Sequence, residues 1–182
     1  TVPQVKATFH LMRGKTTQLS GGFINGHGIV HVNGNIYTTE YDTHRIKQYS
    51  IGSATLSNFA GSGAGGSTDA NGLSATFNRP NAITTDGVNL YVSQLSNPTI
   101  RRIRLNPPYT VTTIAGAGVS GTPCPGENQP TCLDGPAFDA QFAQINDLHY
   151  HNGYIYIADF SHHRIRRLNL ATGQVETIAG TG

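Results

Sequence analysis

The chain reads as an all-β protein built from tandem units of roughly 55 residues, each holding four short strands. Three observations predict this. Segments beginning at Gly34 (GNIYTTEYDTHRIKQYS), Val88 (VNLYVSQLSNPTIRRIRL) and Gly153 (GYIYIADFSHHRIRRLNL) align without gaps. Landmarks flank each segment at fixed distances on both sides. The composition is 12% charged with 22 glycines, where an average domain is about 25% charged. Such a chain favours short strands and tight turns over long solvated helices.

In order along each unit, the landmarks begin with Phe23, Phe77 and Phe142. Ile29, Ile83 and Leu148 follow six residues later, and Tyr37, Tyr91 and Tyr156 eight after those. Ile46, Ile100 and Ile165 come nine further on, then Tyr49, Ile103 and Leu168 after three more. The units close on NFAG at 58–61, TIAG at 113–116 and TIAG at 177–180. In the third unit the strands fall at 147–151, 154–158, 164–169 and 175–179. Alternation is clearest in the second of these, where Ile155 and Ile157 oppose Tyr154 and Tyr156. Asn33-Gly34, Asp86-Gly87, Asn152-Gly153 and Thr172-Gly173 supply the turns. Four antiparallel strands in a unit of this length make one blade of a β-propeller. No helical periodicity separates the strands, which excludes a three-layer α/β fold. The expected blades cover about 23–61, 77–116 and 142–180.

The spacing is uneven: Phe23 and Phe77 are 54 residues apart, Phe77 and Phe142 are 65. The surplus matches a Pro-rich insertion at about 119–133, and insertions fall on exposed connections. Within it, Cys124 and Cys132 flank CPGENQPTC. The two prolines and the glycine between them make this a turn whose ends can meet, so a disulfide is the favoured reading. Two unpaired thiols in a surface loop are the alternative. Zinc is disfavoured, because a structural site needs four ligands and no histidine lies near in sequence. A disulfide here implies an oxidising compartment.

The pattern G-x-[IL]-Y-x-x-[DE]-x-x-x-H-R-I resembles the NHL repeat, with its core at His44-Arg45-Ile46 and His163-Arg164-Ile165. The second unit departs, with Pro98-Thr99-Ile100 in that place and Gln94 where Glu40 and Asp159 stand. Asp69…Phe77 and Asp134…Phe142 resemble a subset of these repeats found in bacterial, plant and extracellular proteins. The resemblance implies a structural role for Glu40, His44, Arg45, Asp159, His163 and Arg164, with the motif arginine beside Glu40 or Asp159. It also implies a ring commonly closed by six blades. Residues 5–9 (VKATF) stand where the fourth strand of a preceding unit would lie, giving an orphan N-terminal segment at 1–14. Three blades do not close a ring, and an open arc leaves two edges unpaired. Further blades of a longer chain are the favoured complement, a neighbouring subunit the other. Ile36, Val92 and Ile157 are the residues expected on the exposed end faces.

The net charge is only +2, and no apolar run reaches the roughly 20 residues of a membrane span. Eight of the 12 lysines and arginines sit in the third strands: Arg45, Lys47, Arg101, Arg102, Arg104, Arg164, Arg166 and Arg167. They read either as a basic surface for single-stranded RNA or as partners of the neighbouring acidic position, and the second reading is favoured. His149 and His151 share a strand face, and His27 and His31 lie on the equivalent strand of the first unit. The two pairs do not coincide on alignment, and no third ligand accompanies them, so no metal or other cofactor is expected. There is no G-x-S-x-G elbow, and the glycines at 61–66 lack a phosphate-loop ending. The expected function is a non-catalytic interaction scaffold, extracellular or on the cell surface. It would bind a protein or other macromolecule through loops on one face, or self-assemble through its open blade edges. A hydrolase or lyase with a metal in the channel is the alternative from another class.

Overall fold

The computed structural model describes residues 25–116 and 134–180. The orphan segment, Phe23 and both cysteines lie outside the described residues.

Fourteen strands among them form three antiparallel sheets with almost no helix. The first sheet is a meander of β1 (Gly26–Val32), β2 (Asn35–Glu40), β3 (Arg45–Ser50) and β4 (Thr55–Ala60). The second repeats it as β6 (Pro80–Thr85), β7 (Asn89–Gln94), β8 (Ile100–Arg104) and β9 (Thr110–Ala115). The third does so as β11 (Ile145–His151), β12 (Tyr154–Asp159), β13 (Arg164–Asn169) and β14 (Gln174–Ala179). Two short strands absent from the sequence reading, β5 (Ala70–Asn71) and β10 (Gly135–Pro136), add a fifth member outside β9 and β14.

The sheets stack face to face, as propeller blades do, with β6 packed against both β1 and β11 at the inner edge. Tyr37, Ile46 and Phe59 of the first sheet meet Phe77, Leu90, Val92 and Ile103 of the second in one buried cluster. Tyr91 and Ile100 of the second meet Phe142, Ile155, Ile157 and Leu168 of the third in another. Each shared position therefore does the same work at each junction. Strand alternation sends Leu90 and Val92 back toward the preceding sheet and Tyr91 forward to the next.

The end faces carry different residues from those expected. Val92 and Ile157 are buried at sheet junctions, and Ile36 is only partly exposed. The exposed positions are instead the outer members of the repeated columns. Ile29 is 70% exposed, whereas its counterparts Ile83 and Leu148 are 6% and 4% exposed. Ile165 is 43% exposed, whereas Ile46 and Ile100 are fully buried.

Two irregularities recur in every sheet. The fourth strand bulges at Phe59, Ile114 and Ile178, and the first strand bulges near its start. Bulges bend a strand and increase its twist. The AG ending of each unit also has a steric reason. Gly61, Gly116 and Gly180 hold φ of +96°, +101° and +90°. A Cβ there would strike the carbonyl of His44, Pro98 or His163 respectively.

Candidate functional site

In a four-stranded meander the turn between the second and third strands lies at the same end as the entry to the first. One backbone bond per sheet ties the two together: Tyr41 N to Asn25 O (3.2 Å), Leu95 N to Arg79 O (3.0 Å) and Phe160 N to Gln144 O (2.8 Å). This end of the three sheets therefore presents matching residues side by side.

A polar line crosses it near the inner strands. The Asn81 amide donates to the carbonyls of Ile145 (3.1 Å) and Asn146 (3.4 Å). Its oxygen therefore faces His27 Nδ1 at 2.8 Å, which makes Nδ1 the protonated ring nitrogen. Gln144 Nε2 donates to Asn146 Oδ1 (3.0 Å), and Ser161 Oγ donates to Gln144 Oε1 (3.2 Å). Above this line His27 stacks on Tyr41, with ring centres 4.7 Å apart and planes 9° from parallel. The Arg79 guanidinium lies 5.3 Å from the Tyr41 ring centre. Phe160, at the position of Tyr41 in the third sheet, is 57% exposed. Stacked rings, a cation and part-exposed amides suit adhesion to another molecule's surface. Sequence reading missed the cluster because its members lie in different columns of the repeat.

The motif residues are used within and between the sheets. Glu40 is buried, accepts from Thr43 Oγ1 (2.7 Å) and lies 3.6 Å from Lys47 Nζ. Asp159 is buried, accepts from Ala143 N (3.1 Å) and pairs with Arg166 Nη1 (3.2 Å) and His162 Nδ1 (2.9 Å). Gln94, the neutral counterpart, accepts from Arg101 Nη1 (3.1 Å). The cation that meets this column is thus Lys47, Arg101 or Arg166, two places beyond the motif arginine; Arg101 and Arg166 are fully buried and Lys47 mostly so. Arg45 and Arg164 lie directly opposite Glu40 and Asp159 in the ladder, and Arg45 Nη2 donates to Ser62 O (3.0 Å).

His44 and His163 both hold left-handed backbone, with φ of 56° and 49°. Proline cannot adopt positive φ, so the turn at Pro98 differs. His44 Nδ1 accepts from Arg79 N (3.1 Å) and so clamps the first sheet to the second. His163 is exposed on the outward face of the third sheet. There it lines a hollow of about 290 Å³ with Phe160, Ile165 and Gly180.

Burial withdraws two of the eight third-strand cations from any basic surface. Arg101 and Arg166 are fully buried beside Asp69 (2.8 Å) and Asp134 (3.1 Å). Burial pulls the Arg101 pKa down, and Asp69 works against that. Arg101 also covers Phe77, and Arg166 covers Phe142. His149 and His151 sit on the opposite face of their strand from that holding His31 on β1, and His27 lies in the bulge at the start of β1. Among the described residues no three His, Cys, Asp or Glu side chains gather into a group able to hold a metal ion. No helix there is long and apolar enough to cross a membrane.

No protein-family model matches the chain, and no curated protein sequence matches it significantly. Solved structures do. An auxiliary nutrient binding protein from Bacteroides thetaiotaomicron is 16% identical with a TM-score of 0.63, over 84% of this chain and 35% of its own. One from Bacteroides ovatus is 20% identical with a TM-score of 0.62, over 86% and 36%. Streptogramin B lyase is 18% identical with a TM-score of 0.53, over 84% and 40%. The chain thus spans little more than a third of the length of these structures. At such identities the likeness shows the fold, and that fold is the β-propeller.

Proposed function

We propose that the chain is a non-catalytic interaction scaffold of the NHL-like propeller kind, extracellular or on the cell surface. It binds a protein or other macromolecular partner through the end carrying Tyr41, Arg79 and Phe160. The observation that carries this reading is the His27–Tyr41 stack under the Arg79 guanidinium. It stands at the same end as exposed Phe160, and aromatic residues with arginine are enriched where proteins adhere. The description of two solved structures of similar fold as nutrient binding proteins agrees with a binding role. A disulfide between Cys124 and Cys132 is part of the same extracellular reading.

The scaffold works within a larger ring. The hollow around His163, Ile165 and Gly180 matches, position for position, the surface of the first sheet that receives Phe77 and Arg79. A following blade seats there.

The test is retention of macromolecules from extracellular material by immobilised protein. Tyr41→Ala and Arg79→Ala should abolish retention of whatever the wild type holds, while Ile51→Ala, at the other end of the first sheet, keeps it. Equal retention by all variants overturns the reading. Stoichiometric metal in the purified protein, needed for turnover of a substrate, would favour the lyase or hydrolase alternative.

A further inference from the structure

At the end of the second sheet opposite Arg79, Arg102 and Arg104 lie on one face of β8, two residues apart. Arg104 stands opposite Asn89, and Arg102 lies between Tyr91 and Thr112. They border a partly open cavity of about 270 Å³ lined by Asn89, Asn106, Thr110 and the apolar side chains of Val88, Pro107 and Pro108. Among the described residues neither guanidinium has a hydrogen bond or ion pair. The Arg102 Nε and the Thr112 Oγ1 beside it are both shut off from solvent without a partner. A buried donor without an acceptor is costly, and Arg102 carries one at the border of this cavity.

The carboxylate bonded to Tyr91, the residue opposite Arg102, does not fill the gap. Asp86 accepts from Val88 N (2.8 Å), Asn89 N (2.6 Å), Asn89 Nδ2 (2.9 Å) and Tyr91 OH (2.8 Å). Its lone pairs are occupied in holding the turn, and the two arginines remain uncompensated. In the first and third sheets the equivalents of Arg102 are Gln48 and Arg167, and Arg167 Nε already donates to Glu176 (2.6 Å). The unpaired cations are thus particular to the second sheet.

We propose that this cavity binds a phosphoryl group, held by the Arg102 and Arg104 guanidinia with Asn89, Asn106 and Thr110 in support. Guanidinium forks match the oxygens of phosphate in paired hydrogen bonds, and two positive charges suit a doubly charged group. The volume far exceeds the roughly 30 Å³ share of one water. Space remains beside the anion for a small organic body against Val88, Pro107 and Pro108. The proposal is independent of the adhesive surface at the other end.

The experiment follows the arginine Nε–H signals of the full chain by NMR, with ionic strength matched by sodium chloride. Inorganic phosphate and glycerol phosphate are the probes. Saturable shifts of the Arg102 and Arg104 signals are expected with at least one probe. Tighter binding of glycerol phosphate identifies an ester as the ligand, and equal binding identifies the free anion. Arg104 is exposed, so Arg104→Gln keeps the fold and should weaken binding about tenfold or more. Shifts no larger than chloride produces, shifts spread over all exposed cations, or affinity unchanged in Arg104→Gln overturn the proposal.

Discussion

The Arg166 guanidinium lies 3.2 Å from the Asp159 carboxylate, with both side chains fully buried. Arg166 also reaches Asp134 and the Gln141 carbonyl, while Asp134 accepts from Thr177 N (2.6 Å) and Thr177 Oγ1 (3.0 Å). One guanidinium therefore joins the second, third and fourth strands to the segment entering the sheet. Arg101, Gln94, Asp69 and Thr113 repeat the arrangement in the second sheet. Arg166→Ala should cost about 3–5 kcal/mol, because it takes the buried guanidinium away from a buried carboxylate. Asp159→Asn should cost less, about 1–2 kcal/mol, since Asp134 remains and the second sheet already uses an amide there. Urea unfolding of the two variants checks the order.

The rings beneath these guanidinia should matter as much. Phe77 is fully buried and Phe142 nearly so. Truncation of either to alanine should cost roughly 3–5 kcal/mol. A change under about 1 kcal/mol in a denaturant midpoint analysis would contradict the stacking of the sheets.

The chain by itself should associate in solution. Ile29 and Ile165 occupy positions that are buried wherever a neighbouring sheet is present. Light scattering at micromolar concentration should show dimers or larger species. Ile165→Asp should reduce them, and Ile51→Asp, on an exposed turn residue, should not. A cooperative monomer would show that the end faces need no cover.

Acid should loosen the second sheet through Asp86. Burial alone pushes this carboxyl up, but the bonds from Asn89, Val88 and Tyr91 together outweigh it and hold its pKa below the ordinary value. A carboxyl depressed in the folded state contributes stability that is present above its unfolded pKa, about 3.9. That contribution is lost as pH falls through the lower folded value. Melting temperature should therefore drop below about pH 4, and Asp86→Asn should flatten that part of the profile. The same contact and burial raise the pKa of Tyr91, which stays a neutral donor.

The strands were legible because their signals are local. Tyr154 to Ala158 alternate over a half-buried ladder, Asn152-Gly153 and Asp86-Gly87 turn the chain, and each TIAG ends on a glycine with positive φ. The pairing of the acidic column was legible only in part. The motif arginine is adjacent to Glu40 or Asp159 in the ladder, whereas the deeper position belongs to Lys47, Arg101 and Arg166. Side chains at those two places share a strand face, and only the packing of Phe77 or Phe142 and the return of Asp69 or Asp134 distinguish them.

The sequence by itself determined the repeat, its all-β character and the columns that fill each junction, because strand periodicity and turn chemistry act over a few residues. Only the tertiary structure decided which columns become exposed. Ile165 and Ile100 are the same residue in the same motif, and the difference is whether another sheet stands in front. It alone also brought His27, Tyr41, Arg79 and Asn81 together, and left Arg102 and Arg104 without partners. Those relationships depend on sheet stacking and on bulges that shift the register, and neither is written in any short stretch of chain.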